Sequence, residues 1–481
     1  MGNFLTADLT TEPITTAAPT AGPDPARGAD PAGDPIAERL TPLDLAFWHL
    51  ESAEHPMHLG ALALFEPGPG AATVRDLLAA RAAAVPRLRM RVRDVLLPVG
   101  AAAWAVDRDF DVTRHVRPLT LPEGDFATEV TRLAGELMER PLERGVPPWE
   151  MYVLTPPGDR ETERPFAVLV KLHHALADGM RAVAIGAGIF DQIADVRTAG
   201  VRRARPVPPR SWLPGPGRVA ALARERFTDL GRAVGIGASV VRAGRFDPYG
   251  VSALTAGSSG TRQLGTAVLD LDDVRRVRRA AGGSANDVLL ATVAGALRRW
   301  MLGRGELLPT APPRALVPVS RRRPGSPAGS ANSLSAYLLG LPVTEADPLA
   351  RLRAVRREME RNKAEGPSRG AGAVAVLAGQ LPPLAHRLGA PLAGSAARFL
   401  FDILVTSVPL PRSALSLGGC PLSEIYPLAP LARGQSLAVG LSSYGGRVHV
   451  GLVADGKAVP DLGALAGSLH AELAELVQVT R

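Results

Sequence analysis

A largely apolar run at residues 166–174 constrains the fold of this chain more than any other feature. The run ends at residues 175–178, and a second apolar stretch occupies residues 180–190. An apolar run of this length predicts a strand that is buried on both faces. The second stretch predicts a buried helix with Asp178 near its N-cap. A buried strand that leads into a buried helix is typical of an α/β fold, in which sites commonly lie at such junctions.

Length and composition predict two domains. The chain has 481 residues, 46% of them hydrophobic, which exceeds what a single core of ordinary size holds. Residues 1–38 are dominated by Ala, Pro, Thr, Gly and Asp without periodicity, so we predict a disordered tail. Residues 201–260 begin with closely spaced prolines and are predicted to be a crossover linker with helices. The two predicted domains are residues 39–200 and 261–481.

Periodicity and capping signals predict further elements. Ser284 and Asp287 have the spacing of a capping box, which predicts that an apolar helix begins between them and runs to about residue 301. Alternating residues bounded by turn signals predict strands. The predicted strands are 60–65, 265–271, 316–319 and a hairpin of 437–441 with 447–453; the other predicted helices are 74–84 and an exposed, charged helix at 351–363.

Charge and composition exclude several classes of protein. The formal charge is +8, but it comes almost entirely from arginine, since the only lysines are Lys171, Lys363 and Lys457. Aromatic residues make up 4% of the chain and do not alternate with a basic stripe, so no nucleic-acid partner is expected. The single cysteine, Cys420, excludes an intrachain disulfide and a multi-cysteine zinc site. Without a secretory signal or a stretch of spanning length, a cytoplasmic, soluble or peripheral protein is expected.

The residues from His173 to Gly179, His-His-Ala-Leu-Ala-Asp-Gly, carry the most concentrated chemical signal. The period of two in the predicted strand places His174 on its apolar face and His173 beside Lys171 on the other. Partial desolvation disfavours the charged form of an imidazole, which suits His174 to the role of a general base. The spacing alone is equally consistent with two structural histidines and an Asp178 that caps the helix. No third convincing ligand accompanies them, so no metal site is predicted.

This element matches the His-His-x-x-x-Asp-Gly element of wax ester synthase/diacylglycerol acyltransferases, and the chain resembles that bacterial family from about residue 40 to residue 473. In two blocks the sequence departs from the family. Pro147-Pro148-Trp149 stands where the family has Pro-Leu-Trp, and the segment 407–411, Ser-Val-Pro-Leu-Pro, stands where it has Asn-Val-Pro-Gly-Pro. The blocks that agree in order are Leu40-Thr41-Pro42-Leu43-Asp44, Pro141-Leu142, Asn286-Asp287-Val288-Leu289, Val317-Pro318-Val319-Ser320-Arg321, Asn332, Ser423-Glu424-Ile425-Tyr426-Pro427 and Ser443-Tyr444-Gly445-Gly446.

The resemblance implies an α/β fold of two chloramphenicol-acetyltransferase-like domains, each a mixed sheet flanked by helices, with an active-site tunnel at their interface. It implies transfer of a long-chain acyl group from acyl-CoA, the co-substrate, to diacylglycerol or a fatty alcohol, without a permanently bound cofactor. It also implies a location peripheral to the inner membrane face or to lipid droplets. The apolar but proline-interrupted residues 371–401 favour broken helices packed in a core, and membrane contact is the alternative.

The resemblance also implies roles for individual residues. By this likeness His174 is the base, and Asp178 shapes the loop through an ion pair rather than by touching substrate. Asn286 is the candidate donor to the tetrahedral oxyanion, although ordinary helix N-terminal chemistry explains it equally well. The residues expected to support the motif are His173, Gly179 and Asp287.

Two other functions remain open at this point. The same chemistry could serve a condensation-type acyltransferase that acts on carrier-bound or other acceptors. A non-enzymatic alternative is a lipid-body coat protein with a vestigial site. The intact His174 and Asp178 argue against the second alternative.

Overall fold

The structure is a computed structural model of the 481-residue chain. It describes residues 36–68, 73–96, 99–158, 164–177, 258–320, 334–365, 400–411 and 413–481, with shorter pieces within 182–192, 253–256 and 383–389. In this part of the chain, strands form two mixed six-stranded sheets and one three-stranded sheet, and helices pack against them.

The first large sheet has the predicted strand near its centre. That strand extends over Phe166–His173 and pairs on both sides with antiparallel neighbours. In spatial order the strands are β12 (Ser416–Leu417), β13 (Cys420–Leu428), β2 (His58–Phe65), β7 (Phe166–His173), β6 (Trp149–Thr155) and β5 (Val116–Thr120). The helices of this half are α1 (Pro42–Leu50), α2 (Val74–Ala83) and α3 (Phe126–Glu139).

The two faces of this sheet have different environments. Helix α3 packs closely on one face at Gly60, where a Cβ would lie 3.1 Å from the Met138 sulfur and from the Val170 carbonyl oxygen. The other face of β7 lines a cavity, and it carries the alternate residues that the period of two assigned to one side. The three-stranded sheet lies in the same half and consists, in spatial order, of β1 (Ile36–Arg39), β4 (Ala102–Val106) and β3 (Met90–Asp94).

The second large sheet belongs to the C-terminal half. The predicted capping box is present, because Ser284 and Asp287 each bond the backbone N–H of the other. The predicted hairpin around residues 444–446 is also present. In spatial order the strands are β10 (Leu334–Gly340), β9 (Arg314–Ser320), β11 (Ile403–Val408), β14 (Leu437–Tyr444), β15 (Arg447–Asp455) and β8 (Arg262–Asp270), and the helices are α4 (Leu271–Ala281), α5 (Ala285–Gly303), α6 (Pro348–Glu365) and α7 (Leu462–Val479).

A strand from the C-terminal half of the chain completes the first sheet, a feature that the sequence analysis did not predict. Strand β13 follows β11 in sequence but pairs antiparallel with β2 in the first sheet. The carboxylate of Asp191 holds the turn before β13, since it accepts hydrogen bonds from the backbone N–H groups of Gly418 and Gly419 at 3.0 and 2.9 Å. Beyond the turn, the Pro427 carbonyl crosses so close to β14 that a side chain at Gly440 would overlap it. The second sheet therefore packs directly on a strand of the first.

The predicted boundaries of the domains stay predictions, although β1 already begins at Ile36, inside the stretch predicted as a disordered tail. Residues 178–181 and most of 183–260 lie outside the described part of the chain, as does most of 371–401. The charged helix predicted at 351–363 is present within α6, and it is exposed along one side only. Arg351 of α6 is only 2% exposed, because its guanidinium pairs with the buried carboxylate of Glu472 on α7. Among the described residues, no helix is both long and apolar enough to cross a membrane.

Candidate active site

His173 is a fully buried anchor at the end of β7. Its Nδ1 accepts a hydrogen bond of 3.0 Å from the backbone N–H of Ala175, so the opposite ring nitrogen carries the proton of the neutral ring. That nitrogen, Nε2, lies 3.5 Å from a carboxylate oxygen of Glu51. The ring edge also meets Trp48, with centroids 5.0 Å apart. These contacts fix the first turn of the loop that follows the strand.

His174 occupies a different environment from its neighbour. Its backbone N–H donates to the Met57 carbonyl at 2.8 Å, which holds the residue against the end of β2. Its half-buried ring stacks on Phe47, with centroids 3.9 Å apart and planes inclined by 20°. The same ring lines a cavity. The predicted contrast between the two adjacent histidines is therefore present, with one ring sealed in the protein and the other on a cavity wall.

The cavity lies between the two halves of the chain and has a volume of about 430 Å³. Its wall is predominantly apolar and includes residues from β2 and β7 of the first sheet and from β11 of the second. Strand β13, which joins the sheets, supplies a further part of the wall. A cavity of this kind suits a hydrocarbon chain better than a polar ligand, because few polar groups line it.

Asn286 and Asp287, the two residues predicted to act at the start of α5, have different surroundings. Asn286 contacts a cavity-lining residue, since its Oδ1 accepts a hydrogen bond of 2.8 Å from the Ser407 hydroxyl. Asp287 is 3% exposed and uses Oδ2 to accept from the backbone N–H of Ser284 at 2.7 Å, so it caps the helix. The predicted roles of Asp178 and Gly179 fall outside the described residues.

Glu51 is a site residue that the sequence analysis missed. Its side chain is 5% exposed and also accepts from Arg144 at 3.0 Å. Burial by itself would raise the pKa of Glu51, but the adjacent His173 ring and the Arg144 guanidinium hold that pKa below its usual value. An ionised Glu51 thus orients the His173 ring. The available signal was α1 itself, which carries Phe47 and Trp48 just after the block at residues 40–44 and has Glu51 as its C-cap.

A buried cation supports the strand from the face opposite the cavity. Lys171 is fully buried, and its ammonium donates to the carbonyl oxygens of Leu137 and Arg140 at 2.8 Å each, at the C-terminal end of α3. It also pairs with Glu150 at 3.2 Å. Burial lowers the pKa of Lys171, and the Glu150 carboxylate partly offsets that effect. This arrangement fixes α3 against the strand two residues before His173.

Comparison with known proteins decides the family. Residues 40–289 match the wax ester synthase/diacylglycerol acyltransferase catalytic domain, and residues 330–477 match the C-terminal domain of the same family. The chain belongs to this family. The match includes both halves of the cavity wall, and it confirms the resemblance that the His-His-x-x-x-Asp-Gly element indicated.

Named relatives agree with this assignment. A probable diacylglycerol O-acyltransferase of Mycobacterium tuberculosis, tgs1, is 31% identical over 458 residues, which are 92% of this chain and 96% of that protein. A second one, tgs2, is 32% identical over 457 residues, or 91% and 98% of the two chains. Both therefore match this chain over almost their whole length.

Solved structures confirm the predicted fold class. The wax ester synthase/diacylglycerol acyltransferase of Marinobacter aquaeolei VT8 superposes with a TM-score of 0.65 at 25% identity, covering 92% of this chain and 99% of that one. The first condensation domain of the CDA synthetase superposes with a TM-score of 0.57 at 16% identity, covering 92% and 96%. The second likeness is one of fold alone. Both support an α/β architecture of two domains with mixed sheets.

Proposed function

We propose that this protein transfers a long-chain acyl group from CoA to the hydroxyl group of diacylglycerol, with His174 as general base. Long-chain alcohols are a second proposed class of acceptor, which would give wax esters. The observation that carries the proposal is the position of the His174 ring on the wall of an apolar cavity between the two halves. The names of the mycobacterial relatives support diacylglycerol as the acceptor.

The proposed reaction needs one base and no covalent intermediate. The neutral ring of His174 accepts the proton of the acceptor hydroxyl while the hydroxyl oxygen attacks the thioester carbonyl carbon. Collapse of the tetrahedral intermediate breaks the carbon–sulfur bond, and the departing CoA thiolate takes the proton from the imidazolium. The apolar cavity wall favours the uncharged imidazole that begins this cycle, because desolvation disfavours the charged form.

Asn286 is the proposed donor to the oxyanion of the intermediate. The Ser407 hydroxyl engages the amide oxygen of Asn286, which leaves the amide hydrogens for another acceptor. Ser407 occupies the position where the family pattern has Asn, so a hydroxyl takes the place of an amide beside Asn286. For Asp178 we retain the proposal that it shapes the loop after His174. Acyl-CoA is proposed as a co-substrate, without a resident cofactor.

The experiment uses purified full-length protein, labelled palmitoyl-CoA and parallel incubations with diacylglycerol and hexadecanol. We expect His174→Ala to lower the transfer rate by about 10²- to 10⁴-fold, the range of a general base. His470→Ala is the matched control, since His470 is exposed on α7. Urea unfolding of both variants checks that they fold. A His174→Ala protein that is folded and transfers at the wild-type rate would refute the assignment.

The same assay separates the two alternative functions. A condensation-type enzyme would transfer from or to carrier-bound substrates and leave both lipid acceptors unchanged. Its support is the fold likeness to a condensation domain. A lipid-body coat protein would produce no transfer with any donor.

Peripheral contact with an anionic lipid surface is a further part of the proposal. The tip of the β3–β4 hairpin exposes Leu96, 90% accessible, and packs through Gly100 against Leu384 of the piece 383–389. On that piece, Leu388 is 69% exposed next to Arg387. Apolar tips beside a cation suit an anionic bilayer. Flotation with anionic and with zwitterionic vesicles tests it, and equal, salt-insensitive binding to both would contradict the electrostatic part.

A further inference from the structure

On the cavity side, β2 presents two alanines where both neighbouring strands present larger side chains. Ala61 and Ala63 point to the cavity, as their place in the lining and the register with β7 and β13 require. Because side chains of one strand alternate between faces, the two alanines are consecutive on this face. A trough therefore follows β2. Its flanks are Val170 and Val168 on β7 and Pro427 and Ile425 on β13.

Aromatic rings close one end of the trough. Phe65, the next cavity-facing residue of β2 after Ala63, is 2% exposed and stacks on Phe166 of β7, with centroids 4.8 Å apart and planes inclined by 8°. Phe190 lies beside this pair, with its centroid 6.2 Å from that of Phe65. At the opposite end, β7 ends at His173, and the next residue is His174, the proposed base. The trough thus runs from the proposed reacting centre to an aromatic wall.

The width of the trough suits one hydrocarbon chain. Adjacent strands are about 4.8 Å apart, so the flanking rows on β7 and β13 stand about two strand spacings apart, with only methyl groups between them. Diacylglycerol carries two chains, whereas the acyl group of acyl-CoA is a single chain. The trough therefore fits the donor better than a diacylglycerol acceptor.

The length of the trough suits an acyl chain of ordinary membrane length. The rung formed by Leu59 and Leu172 is six residues along the strands from the rung formed by Phe65 and Phe166. At about 3.4 Å per residue this is about 20 Å, and the ring thickness shortens the usable part. One leaflet of a bilayer core is about 15 Å deep, so the trough is comparable in length to the depth that an acyl chain of a membrane lipid occupies.

We infer that Ala61 and Ala63 form the floor of the acyl-donor site and that Phe65 sets the longest chain it accepts. The inference rests on the proposed acyl transfer and adds to it the residues that select chain length. It implies that the size of two side chains on one strand determines which acyl-CoA is used.

Two substitutions with opposite expected effects test the inference. Acyl-CoA donors from eight to twenty-two carbons are compared at constant diacylglycerol, and kcat/KM is measured for each. Ala63→Leu fills the trough midway, so the ratio of ten-carbon to sixteen-carbon activity should rise at least about tenfold, because each methylene left in water costs about fourfold. Phe65→Ala removes the wall, so the ratio of twenty-two-carbon to sixteen-carbon activity should rise. A loss of stability alone would lower all lengths together and shift neither ratio.

Leu64→Ala is the matched control, because Leu64 lies between the two test positions but packs on the α3 face of the sheet. In this variant the ratios of kcat/KM between donor chain lengths should equal those of the wild type. A second series varies the alcohol at constant palmitoyl-CoA. If the Ala63→Leu variant shifts the preferred alcohol length and leaves the donor profile unchanged, the trough holds the acceptor and the inference is wrong.

Binding separates failure of the inference from failure of the proposed function. Calorimetric titration of the same acyl-CoA series into His174→Ala protein, with and without the trough substitutions, measures chain-length preference without turnover. If the wild type transfers no acyl group but the trough substitutions change the chain length that binds best, the inference about the trough is confirmed and the proposed reaction is wrong. If transfer proceeds but the trough substitutions change the chain-length preference of neither binding nor kcat/KM, the proposed reaction is confirmed and the inference about the trough is wrong.

Discussion

Replacement of Lys171 by methionine should destabilise this protein far more than the loss of any other lysine. The ammonium is fully buried and donates to the Leu137 and Arg140 carbonyls and to Glu150. Each hydrogen bond from a charged donor contributes about 1.5–3 kcal/mol, and the contributions do not simply add. Removing one partner of a buried ion pair costs about 3–5 kcal/mol; here Glu150 keeps the Tyr152 hydroxyl at 2.8 Å and Arg117 at 3.8 Å, while the two buried carbonyl oxygens lose their charged donor. We therefore expect Lys171→Met to lower the free energy of unfolding by about 3–5 kcal/mol.

The assay is urea unfolding of the purified chain, followed by tryptophan fluorescence. Lys363→Met is the control, because Lys363 is exposed on α6, and it should remain within about 0.5 kcal/mol of the wild type. Combining Lys171→Met with Glu150→Gln should cost about 1–3 kcal/mol less than the sum of the single changes, since the two side chains interact directly. A Lys171→Met protein as stable as the Lys363→Met control, or strict additivity, would refute the reasoning.

Two further outcomes are expected from unfolding measurements. Gly295→Ala should destabilise the chain, since its Cβ would overlap the buried Glu472 carboxyl group. Gly303→Ala in the same helix has open space at the Cβ and should be neutral or stabilising by up to about 1 kcal/mol. A Gly303→Ala protein less stable than Gly295→Ala would contradict this. Burial lowers the pKa of the fully buried His449, so the folded protein resists a proton that the unfolded chain binds below about pH 6.5. The contribution of His449 to the free energy of unfolding is thus present above that pH and is lost as the pH falls below it, by up to about 1.4 kcal/mol per pH unit. The loss should be smaller in His449→Leu. If the free energy of unfolding falls equally steeply with pH in both proteins, His449 makes no contribution.

The local sequence pattern was sufficient to predict the strand and the helix start that lie next to the candidate site. The period of two at residues 166–174 predicted both the strand and the separation of His173 from His174 onto different faces, because alternation is a property of any extended chain. The Ser284 and Asp287 capping box likewise depends on residues three apart. The family and its fold class also followed from ordered motifs, and the comparisons confirm both.

The tertiary structure alone decided which distant segments complete the site. Glu51 reaches His173 from a helix more than a hundred residues earlier in the chain, and β13 reaches β2 from more than three hundred residues later. Arg351 looked like a surface charge because its partner, Glu472, lies 121 residues away. None of these three pairings is specified by local sequence, since periodicity reports which face of an element is buried and not which distant segment covers it. The trough along Ala61 and Ala63 is of the same kind, because an alanine becomes a floor only when the larger side chains of two neighbouring strands stand on either side of it.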